Sequence, residues 1–412
     1  MSDTGTLASS LRRAGIALAG DMAGMAVGGA APECVALPAS IEEVVSVLAL
    51  ARAAHRAVLP LGHGTEAACE PPVHPFVVLG TRRLTGVESY EPADLTLTAW
   101  AGTPVRALAS VTADQGQWLP FDPPCFLDRT FGGLVAAGTS GPLSSAFGAV
   151  RDHVLGLTLV TGDGRALRLG GRVMKNVAGF DLVRAVVGSR GRLGVVVSAT
   201  VRVFPLPEVD RVTTVSADTA ADLLPLARRV ATASVVPGGA ILVERGGPEG
   251  RSAALLVRVL GAAPAVEVEE RWLLGDELGS ARTVSGPAAE AALASAREAA
   301  LGGEVVLRAS ALPSRLPELL GELGRTLPDP ALVADALTGR VLAGCDGPVD
   351  VPALAALRRR LFDWGGGLAL GRAPVGLERE LGDPPSTAAA AIEGSLRSSF
   401  DPFGTLDPGR PV

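Results

Sequence analysis

The chain has 412 residues, 48% of them hydrophobic and 19% charged, with a formal net charge of −6. That length and apolar content exclude a disordered chain and leave room for two domains around a large core. An acidic balance without any polybasic run argues against nucleic acid as a partner.

Arg12 and Arg13 precede a short apolar run, "AGIALAG", which mimics a signal peptide until Asp21 interrupts it. No stretch approaches the roughly 18 apolar residues of a membrane helix. The expectation is a frayed N-terminal helix in a cytoplasmic protein. From about residue 35 the signals sharpen. "PASIEEVVSVLALARAAHR" carries Ser40 as N-cap with Glu43 three residues on, and Ile41, Val44, Val45 and Leu48 fall at helical spacing. Strand-like "AVLPLG", "FVVLG" and "DLTLTAWAG" follow, then a helix from Pro104. "HVLGLTLVTGDGRALRLG" reads as two strands joined by an Asp163-Gly164 turn, and "GVVVSATVRVFPLP" as another strand. Beyond Glu208, Ala- and Leu-rich amphipathic helices alternate with short strands such as "AALLVRVLGAA" and "RVLAGCDG". "DPPSTAAAA" reads as a linker, and the last segment as a helix followed by a turn-rich tail. The fold class expected is α+β, with segments 1–34 (extension), 35–208 (first domain), 209–385 (second α+β domain) and 386–412 (returning segment). No internal repeat is visible.

Two glycine loops are candidate sites. In "LPLGHGTEA" a strand ends at Pro60 and the chain runs Gly62-His63-Gly64-Thr65; "RTFGGLVAAGTSGP" spans 129–142. Glycine turns let backbone N–H groups converge on an anion, and two of them can bracket a pyrophosphate. Neither fits GxGxxG between strand and helix or GxxxxGK[ST], so a dinucleotide site here needs another fold. His63 is a ligand or base in one reading and a solvated turn histidine in the other. Cys34, Cys69, Cys125 and Cys345 are scattered with no CxxC, which argues against a zinc site, an iron–sulfur cluster or a disulfide framework, and no metal site is expected.

The run from "ADLTLTAWAG" to "VRVFPLP" resembles the FAD-binding domain of the vanillyl-alcohol-oxidase (PCMH) type. Within that family it is similar to the smaller flavin subunit of bacterial glycolate oxidases. The marks are "GGRVMKNVAGFDL", "VRDHVLGL" and "GSRGRLGVV" at close-set spacing, with "FDPFGTLDPGR" near the C-terminus, where Asp407 stands for the usual Asn. The resemblance covers roughly residues 20–208 and 390–412. It implies a two-lobed domain with FAD extended between the lobes and a second α+β cap domain. It further implies oxidation of glycolate or a similar small 2-hydroxy acid to the 2-oxo acid. Its partners would be a catalytic FAD subunit and an iron–sulfur subunit, in the cytoplasm or membrane-associated through that complex.

Residue by residue, the resemblance assigns Leu61, Gly62, His63, Gly64 and Thr65 to the first pyrophosphate loop. Pro124, Thr130, Phe131, Gly132 and Gly133 fall in the second, and Ala136, Ala137, Ser140 and Gly141 in its continuation. Gly148, Asp152 and Val154 match a further segment, and Gly191 and Val196 the strand edge along the cofactor. Some members attach FAD to a His just after the first loop's glycines; Thr65 stands there, which implies non-covalent FAD. Arg190 replaces a Glu common in the wider family.

The chain contains a single lysine, Lys175, beside Asn176 in "KNVAGFDL". This pair is the catalytic candidate. The ammonium either neutralises a carboxylate or a reduced-flavin anion, or holds a turn through backbone carbonyls. Residues 209–412 contain no His, Tyr or Lys, so no dedicated base for a hydroxyl proton is visible there. Three readings follow: a flavin subunit inactive without its partners; a stand-alone FAD oxidoreductase with Asp or Glu as base; and a structural subunit whose flavin site is vestigial.

Overall fold

The computed structural model describes residues 6–20, 27, 30–66, 76–171, 181–246, 250–279, 281–374, 376–382 and 388–406. The chain builds a first lobe from β1 (Ala17–Leu18), β2 (Val35–Leu37), β3 (Ala57–Leu61) and β4 (Phe76–Gly80), in the order β1-β2-β4-β3. β2 and β3 run parallel to β4, which a crossover through a helix permits. Helices α1 (Leu7–Arg13) and α2 (Ile41–Ala53) cover this sheet. Ser40 caps α2 by accepting the Glu43 N–H, and the Glu43 carboxylate in turn accepts the Ala39 N–H at 2.8 Å. The N-terminal helix is not frayed: Thr6 caps it, and Leu7 and Leu11 are buried against α2 in the first-lobe core.

The second lobe is an antiparallel sheet, β5-β6-β10-β8-β9. Its strands are β5 (Val87–Glu91), β6 (Thr96–Trp100), β8 (Val154–Val160), β9 (Ala166–Gly170) and β10 (Val195–Arg202), while β7 (Gln117–Trp118) pairs separately with β11 (Phe204–Pro205). β8 and β9 turn at Asp163-Gly164, where Gly164 has φ +90°. Around this sheet lie α3 (Val105–Ala113), α4 (Phe131–Ala137), α5 (Ser144–Phe147), α6 (Val150–His153) and α7 (Leu182–Val186). Strand β10 is buried along nearly its whole length because it serves both lobes: Val195 and Val197 pack into the first core, Val196 and Ala199 into the second. Alternation at Val195–Val197, with a register shift between Val196 and Ser198 that turns Ala199 to the other side, lets one apolar strand join the lobes.

Residues from 209 onward form an eight-stranded, wholly antiparallel sheet, β15-β12-β14-β13-β17-β18-β16-β19. The strands are β12 (Val209–Ala217), β13 (Gly239–Arg245), β14 (Ser252–Gly261), β15 (Arg282–Ser285), β16 (Val305–Ser310), β17 (Ala331–Asp335), β18 (Arg340–Cys345) and β19 (Gly367–Arg372). Helices α8 (Ala220–Ala231), α9 (Ala263–Leu274), α11 (Leu316–Thr326), α12 (Val351–Asp363) and α13 (Leu377–Leu381) cover its back face over Leu242, Leu255, Val257 and Ala343. The front face carries the alternate residues Ile241, Val243 and Val333 under α10 (Pro287–Glu298), and beyond α10 it faces the second lobe, where β13 contacts α5.

The final helix, α14 (Ala388–Phe400), takes in Ala388 to Ala391, the second half of the stretch expected as a linker; alanine is the best helix former and no proline follows Pro385 until Pro402. After α14, Asp401 turns the chain by accepting the N–H groups of Thr405 and Leu406 at 2.9 and 2.7 Å. The Thr405 carbonyl then accepts the Val58 N–H at 2.7 Å, so residue 406 bridges β3 in parallel and Leu406 is buried in the first-lobe core. Asp401→Ala strands two buried N–H groups and is expected to cost about 2–3 kcal/mol in urea unfolding, with Asp401→Asn, which keeps one acceptor, losing less. Equal stability of the alanine variant and the wild type would mean the segment holds by packing alone.

Candidate functional site

The first glycine loop leaves β3 at Leu61, and the second begins at Thr130, the N-cap of α4. Thr130 accepts the Gly133 N–H at 3.2 Å. A Cβ on Gly62 would collide with the Thr130 hydroxyl, and a Cβ on Gly132 with the Ala101 backbone, so both glycines are required by close approach. A third turn, 188–191, docks on the end of α4: Gly188 and Arg190 donate their N–H groups to the carbonyls of Val135 and Ala136 at 3.2 and 2.8 Å. Gly191, at φ +82°, then sits against the Pro60 ring.

These three turns wall one cleft, open on one side. Leu61, Gly62, His63, Gly64, Thr65, Thr130, Gly132, Gly133, Ala136, Ala137, Gly191 and Val196 all line it, with Glu66, Arg129 and Arg190 added. Three of the expected residues line a second chamber instead: Pro124, Ser140 and Gly141, which join Thr65, Glu66 and Arg129 beneath the front face of the eight-stranded sheet. The structure puts the remaining four outside both. Phe131 is fully buried in the second-lobe core because its side chain points inward from the first turn of α4. Gly148 takes φ +96° at the end of α5, and Asp152 accepts the Ala149 N–H at 3.0 Å and pairs with Arg184. Val154 opens β8, buried. The catalytic candidates Lys175 and Asn176 lie outside the described residues. The exposed His63 ring sits 2.8 Å, through Nδ1, from the Asp128 carbonyl, tying one loop to the other.

Where cleft and chamber meet lies a residue that sequence reasoning missed. Glu66 Oε1 accepts Arg129 Nη1 and the Thr139 hydroxyl, both at 2.7 Å. Its Oε2 accepts Arg308 Nη2, from β16, at 3.0 Å and lies 3.9 Å from Arg190 Nη2. Burial alone would raise the Glu66 carboxyl, but Arg308, Arg129 and Thr139 more than reverse this and bring it down to about 2. Arg129, with its side chain 4% exposed, also donates Nε and Nη2 to the Pro124 carbonyl, so all three of its guanidinium nitrogens are engaged. "GHGTEA" and "DRT" put Glu66 and Arg129 next to the glycine loops. The available signal for Arg308 was an arginine interrupting the apolar strand "VVLRAS".

A second interlobe pair sits deeper. Arg297 of α10 donates to Glu290 Oε1 at 2.6 Å and lies 3.5 Å from Asp122 Oδ2, while Asp122 Oδ1 accepts the Leu143 N–H. Burial pushes the Asp122 carboxyl up to about 6 despite Arg297 and Arg258 nearby. Among the described residues no His/Cys/Asp/Glu group is arranged to hold a metal ion.

Glu66→Gln leaves the buried Arg129 guanidinium without its counter-charge and is expected to destabilise by about 3 kcal/mol at pH 7. The folded carboxyl lies below its ordinary value. Its contribution is therefore complete above about pH 4.5 and is lost as pH falls toward about 2. Urea unfolding of variant and wild type should accordingly converge with acidification below pH 4.5; a pH-independent gap would contradict the ion pair.

Residues 32–170 match a family model described as an FAD binding domain. Glycolate oxidase subunit GlcE of Escherichia coli K12 is 45% identical over 130 residues, covering 31% of this chain and 37% of the relative. A D-2-hydroxyglutarate dehydrogenase of Xanthomonas citri pv. viticola is 35% identical over 177 residues, covering 43% and 38%. Glycolate oxidase subunit GlcD of Bacillus subtilis is 30% identical over 183 residues, covering 44% and 38%. The matched stretch thus spans well under half the length of these relatives. Among solved structures, an alkyldihydroxyacetonephosphate synthase superposes over 92% of this chain and 76% of its own, with TM-score 0.68 at 20% identity, a likeness of fold. No helix among the described residues is long and apolar enough to cross a membrane. The chain therefore carries a PCMH-type FAD-binding domain, and its cofactor is FAD.

Proposed function

We propose that this chain is the FAD-binding subunit of a glycolate-oxidase-type complex. It would take part in oxidising glycolate or a similar 2-hydroxy acid to the 2-oxo acid and pass electrons to a catalytic flavin subunit and an iron–sulfur subunit. Residues 35–208 with 386–412 would hold the cofactor and 209–385 would form the cap. The observation that carries this reading is the junction of the two loops. Gly62 and Thr130 touch, Gly133 and Gly191 leave backbone bare, and the cleft they wall opens into a chamber roofed by the arginine-bearing sheet. That cradle suits an extended dinucleotide, since glycine turns let backbone N–H groups approach a pyrophosphate closely. FAD, when bound, supplies the two-electron chemistry of the C–H oxidation. Thr65 in place of an attaching His, and a His63 ring turned to the Asp128 carbonyl, support non-covalent binding.

The protein's own groups favour binding over proton transfer. Of the two carboxylates lining the chamber, Glu66 is held ionised by arginines and is a poor base. Asp335 accepts the Leu337 N–H and the Thr338 hydroxyl, both within its own β17–β18 turn. General-base help worth roughly 10²–10⁴-fold would then come from a partner. A stand-alone oxidoreductase is the second reading, and Asp335 is what favours it, because burial raises its carboxyl above the usual range.

Purified protein is expected to carry one FAD per chain, released by acid, and Gly133→Val to lose it while remaining folded by circular dichroism. A colourless protein without affinity for added FAD would favour the vestigial reading. Dye reduction with 2-hydroxy acids should appear on co-expression with the two partner subunits and be absent from the single chain. Robust single-chain turnover, abolished by Asp335→Asn, would establish the second reading instead.

A further inference from the structure

The chamber under the sheet contains charged groups of two kinds. Its carboxylates are committed: Glu66 to Arg129, Arg308 and Thr139, and Asp335 to its own turn. Two of its cations retain free donors. Arg340, which lines the chamber from β18, makes no hydrogen bond or ion pair to any described residue, although its charge reaches Asp335 on the next strand. Arg297, with its side chain only 4% exposed, also lines the chamber, and its Nε and Nη1 have no hydrogen-bond partner, Asp122 Oδ2 standing off at 3.5 Å. Buried N–H groups of a guanidinium left without acceptors are costly, and they recur where a ligand supplies the acceptor. Among the chamber's described charged side chains, the carboxylates are committed while Arg340 and Arg297 keep N–H groups without a hydrogen-bond partner, and the ligand that matches them is an anion.

Strand register defines the rest of the wall. Asp335 lies opposite both Ile241 and Arg340, and Val333 opposite Leu342, which in turn lies opposite Arg308. Residues directly opposite in antiparallel strands share a face, so Ile241, Val333 and Leu342 form an apolar strip of the roof beside the Arg340 guanidinium. The chamber has a cavity volume of about 510 Å³ and is open on one side. That falls within the roughly 300–1,000 Å³ of pockets that bury a drug-sized ligand, so a two-carbon acid fills only part of it.

We propose that this chamber binds a carboxylic acid with an apolar chain of several carbons, its carboxylate on Arg340 and Arg297, its chain along Ile241, Val333 and Leu342. This narrows the substrate class of the proposed function, and rests on that reading only for the acid being oxidised; binding itself requires no flavin.

The test is calorimetric titration of the protein as purified with acetate, butyrate and hexanoate, which carry no hydroxyl to oxidise, with the flavin absorbance spectrum followed in parallel. Each added methylene should tighten binding about fourfold. Arg340→Met should weaken hexanoate at least about tenfold with FAD content unchanged, and Arg297→Lys, which keeps the buried charge, should weaken it less. Equal affinity for acetate and hexanoate, or an Arg340→Met variant that binds hexanoate like the wild type, overturns the inference and leaves the flavin reading standing. Arg340-dependent hexanoate binding by protein that takes up no FAD supports the inference and removes the flavin reading.

Discussion

The arrangement of both cavities depends on a single buried carboxylate. A carboxylate with its side chain 12% exposed is unfavourable unless its charge is met at close range, and Glu66 is met by two guanidiniums and a hydroxyl. Those partners come from three different parts of the fold: the entry to α4, the loop after it, and β16, the strand next to the edge of the large sheet. Ion pairing across such distances has little tolerance for displacement. The requirement to neutralise Glu66 therefore sets where the sheet stands over the loops, and with it the height of the chamber roof.

Arginine suits this role better than lysine would. Arg129 uses Nη1 for Glu66 while Nε and Nη2 hold the Pro124 carbonyl, so one planar group pins two loops at once. A chain with one lysine among its 37 basic residues has taken that option nearly everywhere. The consequence is a site whose positive charge is rigid and permanently present across the working pH range.

Much of the first two lobes was legible from local pattern. Ser40 with Glu43 announced α2, Asp163-Gly164 announced the β8–β9 hairpin, and the glycine spacing announced both loops, because each of these signals acts within a few residues of itself. The expectations that failed were those decided by distant partners. A short helix at residues 7–13 reads as fraying until Leu7 and Leu11 are found under α2. Phe131 shares a loop with cleft-lining glycines yet faces the core, since the first turn of a helix sends neighbouring side chains in different directions. Glu66 belongs to the first glycine loop, but nothing near it in sequence reveals that Arg308 will arrive from another sheet. Likewise, four chamber-lining arginines were only composition until two strands, a helix and a loop brought them together.

The parallel bridge between Val58 and Leu406 has a bearing on how the molecule comes to be made. Residues at nearly opposite ends of the described chain close one small sheet, so the first lobe combines local pairing with a contact of very high sequence separation. Loop-closure entropy makes such contacts slow to form. During synthesis β3 and β4 can pair early, yet the outer side of β3 and the pocket for Leu406 stay open until the rest of the chain up to residue 406 has been translated and folded. For that interval the lobe presents an unpaired strand edge and an uncovered apolar pocket, the features that draw chaperones and misassembly alike.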